Sequence, residues 1–366
     1  MKKILRHGFT TGACAAAAAR GAALMITRQE LVNEVTIILP AGTGATFRLF
    51  GQTFSKNSAA CFVVKDAGDD PDVTNGAEVH AKLTLTQGKQ EQGILITGGA
   101  GVGKVTKPGL AVAPGEWAIN PVPRRMIEQA IRDVIPTAPL QVEISIPDGE
   151  QRAKKTLNAR LGIIGGLSIL GTTGIVRPIS AKAWTDTIDA ALDVARACGC
   201  PTIVLSTGRT SEMAVQKMFN VQRSTFKNGA RNLLPLPEEA FIMMGDHIEY
   251  ALRACQQRSF DRPIIACQFA KLLKIACGYG NTHAAASELD LATLRVWATE
   301  QGLPGQTLDL ITGANTARQI IIASDFDPIL LELVCRHAHD AARSHAPGIL
   351  PSFLVADYGS NIVFSS

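Results

Sequence analysis

Three stretches of this chain combine residue types and spacing that could do chemistry. The first, Gly98-Gly-Ala-Gly-Val-Gly103-Lys104-Val105, nearly matches the phosphate loop GxxxxGK(S/T), but Val105 stands where the magnesium-binding hydroxyl is required. Lys107-Pro108-Gly109 follows at once and opposes the long helix that a phosphate loop must open into. Phosphoryl transfer here would demand magnesium-dependent ATP binding. The other readings are a structural turn, or a loop whose bare backbone admits a bulky anionic ligand with Lys104 and Lys107 facing its carboxylates.

The second stretch is Leu161-Gly-Ile-Ile-Gly165-Gly166-Leu-Ser168-Ile-Leu-Gly171-Thr172-Thr173-Gly174. Its spacing places it at the C-terminal end of the first strand of an alternating strand–helix domain. Ligands of open α/β sheets bind at that end, where glycines let them approach the backbone. A nucleoside-type cofactor is the expected occupant, bound by Gly165, Gly166, Ser168, Gly171, Thr172, Thr173 and Gly174. An ordinary dinucleotide site is not expected: the spacing is not GxGxxG, and the next strand ends in Ser206-Thr207-Gly208 without an acid for the ribose.

The third stretch, Lys65-Asp66-Ala-Gly-Asp69-Asp70-Pro-Asp72-Val-Thr74-Asn75-Gly76, lacks the spacing of a calcium loop. It reads either as a solvated turn capping its own backbone or as a ligand-contacting loop, and no protein-bound metal is expected. His337 and His339 are two apart on a helix and make a poor metal pair, while His283 is expected at a helix start. No Ser–His–Asp or Cys–His arrangement is legible, so no catalytic residue is assigned. The eight cysteines form no CxxC pair and read as reduced core residues of a cytoplasmic protein.

The elements that must position these loops divide the chain in two. Residues 1–150 read as an α+β domain carrying the Gly-rich and acidic loops: an alanine-rich helix from Thr10-Thr11 to Ile26, short strands Val35–Leu39, Ala45–Phe50, Ala60–Val64, Val79–Leu85, Gly93–Ile96 and Gln141–Ile146, and a helix Pro123–Val134. Asp148–Ala159 reads as the linker. Residues 160–350 alternate strands (Leu161–Gly165, Thr202–Ser206, Phe241–Met244, Pro263–Cys267) with helices, which predicts an α/β domain with a mostly parallel, Rossmann-like sheet. Residues 351–366 read as C-terminal strands, with Ser352–Ala356 and Ile362–Phe364 forming a hairpin.

Composition excludes other classes. The 366 residues carry 36 Lys+Arg against 32 Asp+Glu, an excess too small for a dedicated nucleic-acid binder. Aromatic residues make up 5%, too few for base-stacking platforms, and 46% hydrophobic residues exclude a disordered chain. Arg6, His7 and Arg20 interrupt the apolar run after Met1-Lys-Lys3, so neither a signal peptide nor a membrane span is expected. A homo-oligomer is left open.

Taken together, the motifs resemble the CbiD family, the cobalt-precorrin-5B C(1)-methyltransferases of cobalamin biosynthesis. The blocks are Gly8-Phe-Thr-Thr-Gly-Ala-Cys-Ala, Lys65-Asp-Ala-Gly-Asp-Asp-Pro-Asp-Val-Thr74, Thr97-Gly-Gly-Ala-Gly-Val-Gly103, Val105-Thr-Lys-Pro-Gly109, Ala118-Ile-Asn-Pro121, Pro123-Arg124, Arg160-Leu-Gly-Ile-Ile-Gly-Gly166 and Ser168-Ile-Leu-Gly-Thr-Thr-Gly-Ile-Val176. The C-terminal half departs from the family pattern. Ala266-Cys267-Gln268-Phe269-Ala270-Lys271 stands where a Gly-His-x-Gly-Lys run is usual, and Glu249 where a glycine follows Asp246.

The resemblance implies methyl transfer from S-adenosylmethionine to C-1 of a cobalt-containing tetrapyrrole. The substrate's carboxylates would meet Lys104, Lys107, Arg124 and Arg125, with Arg177 and Arg209 as further cations, and with Thr10, Thr11, Asp66 and Asp69 on the same side. A non-catalytic corrinoid-binding or scaffold protein of the same family is the alternative.

Overall fold

An alanine-rich segment with a threonine before it should form a helix that other elements can approach closely, and α1 does so. After the short strand β1 (Gly8–Phe9), α1 (Thr11–Arg28) starts where the Thr10 hydroxyl accepts from the Ala13 N–H and stops where Gln29 turns left-handed at φ 56°. Nearly every α1 side chain from Thr11 to Ile26 is buried. Gly21 is needed there, because a Cβ would lie 2.4 Å from Leu49. The structure, a computed structural model, describes residues 5–86, 93–225 and 236–366. The basic Lys2 and Lys3 lie outside the described residues.

Strands β2 (Glu34–Ile38) and β3 (Gly44–Arg48) pair as a hairpin, and β4 (Phe50–Phe54), β5 (Ser58–Val64) and β6 (Glu78–Leu85) follow. The expected single strand Ala45–Phe50 is therefore two, because the chain changes partner at Leu49. Next come β7 (Ile94–Gly98), β8 (Lys104–Val105), α2 (Pro121–Arg132), β9 (Leu140–Ser145), α3 (Gly149–Ala153), β10 (Ile163–Ile164) and β11 (Ile175–Val176). The main sheet has the order β4-β5-β6-β9-β7, antiparallel except for β7 on β9. Alternate residues of β5, β6 and β9 face α1 and α2, burying Cys61, Val79, Leu83, Val142 and Ile144 among them.

The chain divides into two compact units, Met1–Ala181 and Lys182–Ser366. That boundary lies beyond the expected 150–160, for two physical reasons. Asp148–Ala159 is tied down: Arg152 Nη1 donates to Val73 O (2.6 Å) and Asn75 O (2.9 Å), and Gly149 lies so close to Gly101 that a Cβ would overlap its carbonyl. The expected strand Leu161–Gly165 shortens to β10, which pairs antiparallel with β8 of the first unit and joins no parallel sheet.

The second unit starts with α4 (Ala181–Ala197) and β12 (Val204–Ser206), followed by α5 (Arg209–Thr225), β13 (Phe241–Met243), α6 (Ile248–Gln257), β14 (Ile264–Gln268) and α7 (Phe269–Ala276). Four more helices, α8 (Leu291–Glu300), α9 (Gly305–Gly313), α10 (Ala317–Ala323) and α11 (Pro328–His345), precede β15 (Ser352–Ala356) and β16 (Ile362–Ser365). The sheet order is β13-β12-β14-β15-β16, parallel except for β16. The C-terminal strands thus complete this sheet, β15 pairing with β14, and are no separate segment.

The chain leaves β12 toward β13 on one side and then crosses to β14 on the other. Right-handed crossovers put the connecting helices of opposite directions on opposite faces. Accordingly Val215 and Phe219 of α5 pack on Val204, Ala266 and Leu354, whereas α6, α7 and α11 cover Leu205, Ile265 and Phe353 from the other face.

Candidate functional site

The first unit brings most of the sequence-expected residues together through backbone contacts that only glycine permits. β1 pairs with β11, and Thr10 N–H donates to Gly174 O at 3.0 Å. Leu170 N–H donates to Thr11 Oγ1 (3.0 Å), and Gly12 N–H to Leu170 O (3.0 Å). Gly171 adopts φ 122° against Thr10, where a Cβ would meet the threonine side chain at 2.4 Å. The loop Gly165–Gly174 is thereby fastened to the start of α1. Its other end lies on the Gly98–Gly103 loop: Leu167 N–H donates to Gly101 O (2.9 Å) and Gly103 N–H to Leu167 O (2.9 Å). A Cβ on Gly166 would overlap Gly101 O at 2.2 Å, whereas Gly165, at φ 85°, has open space around it.

These contacts correct the ground on which Gly165, Gly166, Ser168, Gly171, Thr172, Thr173 and Gly174 were assigned to a nucleoside. The loop does not end a strand of the parallel sheet; it lies in the first unit beside the residues expected to face substrate. Thr172 and Thr173 are both exposed, and Thr173 Oγ1 caps its own turn by accepting from Ile175 N–H at 3.3 Å.

The cations differ in how free they are. Lys104 is exposed, with its ammonium 4.6 Å from the centre of the Trp117 ring. Arg125 and Arg177 are also exposed. Arg124 is largely committed to structure: Nε donates to Ile119 O (3.0 Å), Nη1 to Ile96 O (3.4 Å), and Glu116 lies 3.8 Å away. Lys107 is half-buried and donates to Arg160 O at 3.2 Å.

The acidic stretch is a built loop rather than a free turn. Arg6 and Asp66 form a two-pronged ion pair, with Nη2 to Oδ1 at 2.8 Å, and the guanidinium and the Gly68 N–H hold the Asp66 carboxyl below its usual range. Asp69 N–H donates to Arg6 O and Asp70 Oδ1 accepts from Ile179 N–H, both at 2.9 Å. Lys65, fully buried, donates to Asp72 Oδ2 at 2.6 Å. Burial opposes the Asp72 charge, but Lys65 and the Thr74 N–H and hydroxyl outweigh it and keep the carboxyl low.

In the second unit, a polar cluster stands where β13 and β14 end. Lys271, in the first turn of α7, donates to Asp246 Oδ1 and to Thr282 O (2.9 Å). Thr282 Oγ1 donates to the same carboxylate oxygen at 2.7 Å. Burial disfavours the Asp246 charge, yet these donors hold its carboxyl below the usual range. The buried Lys274 donates to Thr282 O (3.3 Å) and Ser287 O (2.9 Å), and burial together with Lys271 lowers its pKa. His283 starts no helix; its Nδ1 accepts from Ala285 N–H at 3.1 Å in a turn, and α8 begins only at Leu291. Among the described residues no group of His, Cys, Asp and Glu could hold a metal ion, and no helix is long and apolar enough to cross a membrane. Burial raises the thiol pKa of Cys14 and Cys61 to about 12, as expected of inert core residues.

Comparison with known proteins gives this arrangement its family. The CbiD family model matches residues 1–178, and the model of the CbiD C-terminal domain matches residues 281–366. A curated relative from Pelobacter propionicus, named cobalt-precorrin-5B C(1)-methyltransferase, is 62% identical and spans 99% of this chain and 96% of its own length. The chain belongs to the CbiD family. A relative of the same name from Geobacter sulfurreducens is 57% identical, spanning 98% of each chain. A crystal structure of a cobalamin biosynthesis protein (CbiD) from Archaeoglobus fulgidus is 29% identical, covers 82% of this chain and 85% of that one, and superposes with a TM-score of 0.38.

Within this CbiD chain the departures noted in sequence have a local setting. Cys267 is buried in β14, and Phe269 and Ala270 open α7. Glu249 occupies the space beside Gly280, where a Cβ would meet its carboxylate at 2.1 Å, and pairs with Arg253 at 2.7 Å. Sequence reasoning did not foresee that Asp246, Lys271 and Thr282 come together. Counting β12 as the second strand of the parallel sheet drew attention away from β13, the second strand of that sheet, whose following turn carries Asp246.

Proposed function

We propose that this chain methylates C-1 of cobalt-precorrin-5B, a cobalt-containing tetrapyrrole intermediate, in the cytoplasm, with S-adenosylmethionine as the methyl donor. The observation that carries the reading is 62% identity, across 99% of the chain, to a relative of that name. The donor, when bound, supplies an electrophilic methyl on a sulfonium sulfur. The nucleophile is a ring carbon of the substrate, so the protein's task is to align the two and exclude water. A catalytic triad is therefore not required.

On this reading the first unit takes the tetrapyrrole. Lys104 and Arg125 offer exposed charges to its carboxylates, Lys107 adds one from a half-buried position, and Arg177 a fourth. Thr10, Thr11, Asp66 and Asp69 act indirectly, by fastening the Gly165–Gly174 loop and the chain before β1. That loop, with Gly165 open and Thr172 exposed, then borders the tetrapyrrole instead of the donor. The donor belongs to the Rossmann-like sheet of the second unit. The fit there is favourable: a Cβ on Gly208, just beyond β12, would meet no atom within 4 Å, which leaves room for a ligand over the strand ends.

The test is to incubate the purified chain with cobalt-precorrin-5B and S-adenosylmethionine bearing a radiolabelled methyl. The label is expected to enter the tetrapyrrole at a rate proportional to the protein added. Label that remains in the donor, in the presence of intact substrate, would overturn the reading.

A further inference from the structure

Deepening that reading, and resting on it, we propose that Asp246 binds the ribose diol of the methyl donor, at the point where the strand order of the second unit reverses. The connection from β12 runs to β13 on one side, and the next, from β13, runs back across to β14 on the other, which opens a crevice beyond the carboxyl ends of these strands. Three independent features meet there. Asp246 lies in the turn after β13, three residues beyond Met243, and Oδ1 alone is engaged, by Lys271 and Thr282; Oδ2 accepts no hydrogen bond from a described residue. The side chain is 25% exposed, so this free acceptor is within a ligand's reach. A charged acceptor with one oxygen pinned and the other open suits a pair of vicinal hydroxyls.

The second feature is the floor. Ser206, the last residue of β12, is fully buried, and its Oγ has no hydrogen-bond partner. Such an orphaned group is uncommon in a settled core and marks a place where a partner is missing. Gly208, two residues on, has open space above it. The third is an aromatic wall. Trp184 of α4 lies against Gly245, next to Asp246, with its indole N–H donated to Met244 O at 2.9 Å, and it remains 44% exposed. A purine joined to the ribose would find a stacking face there.

Lys271 is a positioning residue in this arrangement. Bonded to Asp246 Oδ1 and Thr282 O, it fixes the plane of the carboxylate and keeps it ionised. The proposal also explains why the first unit's glycine loop need not hold a nucleoside.

The test compares two probes by isothermal titration on the full chain: S-adenosylhomocysteine, and its analogue lacking both ribose hydroxyls. The wild type is expected to bind the first about ten- to hundredfold more tightly than the second, as loss of hydrogen bonds to a charged acceptor predicts. Asp246→Ala is expected to bind S-adenosylhomocysteine about as weakly as the wild type binds the analogue, and to discriminate poorly between the probes. Should Asp246→Ala fail to fold, Asp246→Asn is read by the same pair of probes, with discrimination expected to shrink. A wild type that binds both probes equally, or a variant that keeps the full discrimination, overturns the ribose assignment while leaving the donor reading intact. A wild type that binds neither probe would instead contradict the donor reading.

Discussion

Removing the charge of Asp72 should cost this protein far more than removing the charge of Lys65, although the two form one ion pair. The Lys65 side chain is 1% exposed and that of Asp72 24%, with 2.6 Å between ammonium and carboxylate. Asp72→Asn leaves a buried ammonium without a countercharge, an uncompensated state that costs about 3–5 kcal/mol. Lys65→Met removes the buried charge itself, and the remaining carboxylate is still partly solvated and still accepts from the Thr74 N–H and hydroxyl at 2.7 and 2.6 Å. The expected loss is about 1 kcal/mol, and the double variant should resemble Lys65→Met.

Urea unfolding followed by Trp117 fluorescence reports the first unit, in a chain whose Trp184 and Trp297 are replaced by Phe. The same pair sets a pH dependence. The folded Asp72 carboxyl titrates below its unfolded value, so its contribution is complete above the ordinary carboxylate range and is lost as pH falls through the folded value. Equal losses for the two single variants, or Asp72→Asn within about 1 kcal/mol of wild type, would refute the claim that burial of the ammonium dominates.

Further expectations separate structural from substrate-facing groups. Lys104→Ala should raise the KM for the tetrapyrrole about tenfold or more, less so at high salt, with stability unchanged, as steady-state kinetics at two ionic strengths will show. Arg124→Ala should instead lower stability by about 1–3 kcal/mol in urea unfolding, because it strands the Ile119 carbonyl. Thr173→Val should leave affinity for S-adenosylhomocysteine unchanged by titration; a fall would return the donor to that loop. Gly166→Ala should disrupt the first unit through its overlap with Gly101 O, whereas Gly165→Ala costs only about 1–2 kcal/mol of backbone strain, a contrast visible in thermal melts.

Local signals made much of the fold legible. Thr10 and the alanines announced α1, alternation announced β5 and β6, and the helices flanking β12, β13 and β14 announced the parallel sheet. What failed was whatever depended on distant partners. Leu161–Gly165 has the apolar run and terminal glycines of a buried parallel strand, and nothing local reveals that its partner is Lys104–Val105. Its loop was therefore attached to the wrong sheet, and the strand count shifted by one. The stretch around Lys65 reads either as a solvated turn or as a ligand-contacting loop, and neither reading puts the lysine in the core. Only the tertiary structure shows it to be buried. Arg124 matched the family signature, but its commitment to the carbonyls of Ile119 and Ile96 is a tertiary fact.

The measurement closest to the central claim is the position of the transferred methyl. Cobalt-precorrin-5B is converted by the purified chain with S-adenosylmethionine labelled with carbon-13 in the methyl group, and the product is examined by NMR. The account predicts a single enriched methyl, coupled to C-1 of the macrocycle. Enrichment at another ring carbon, or a tetrapyrrole recovered without label while the chain remains folded, would contradict it.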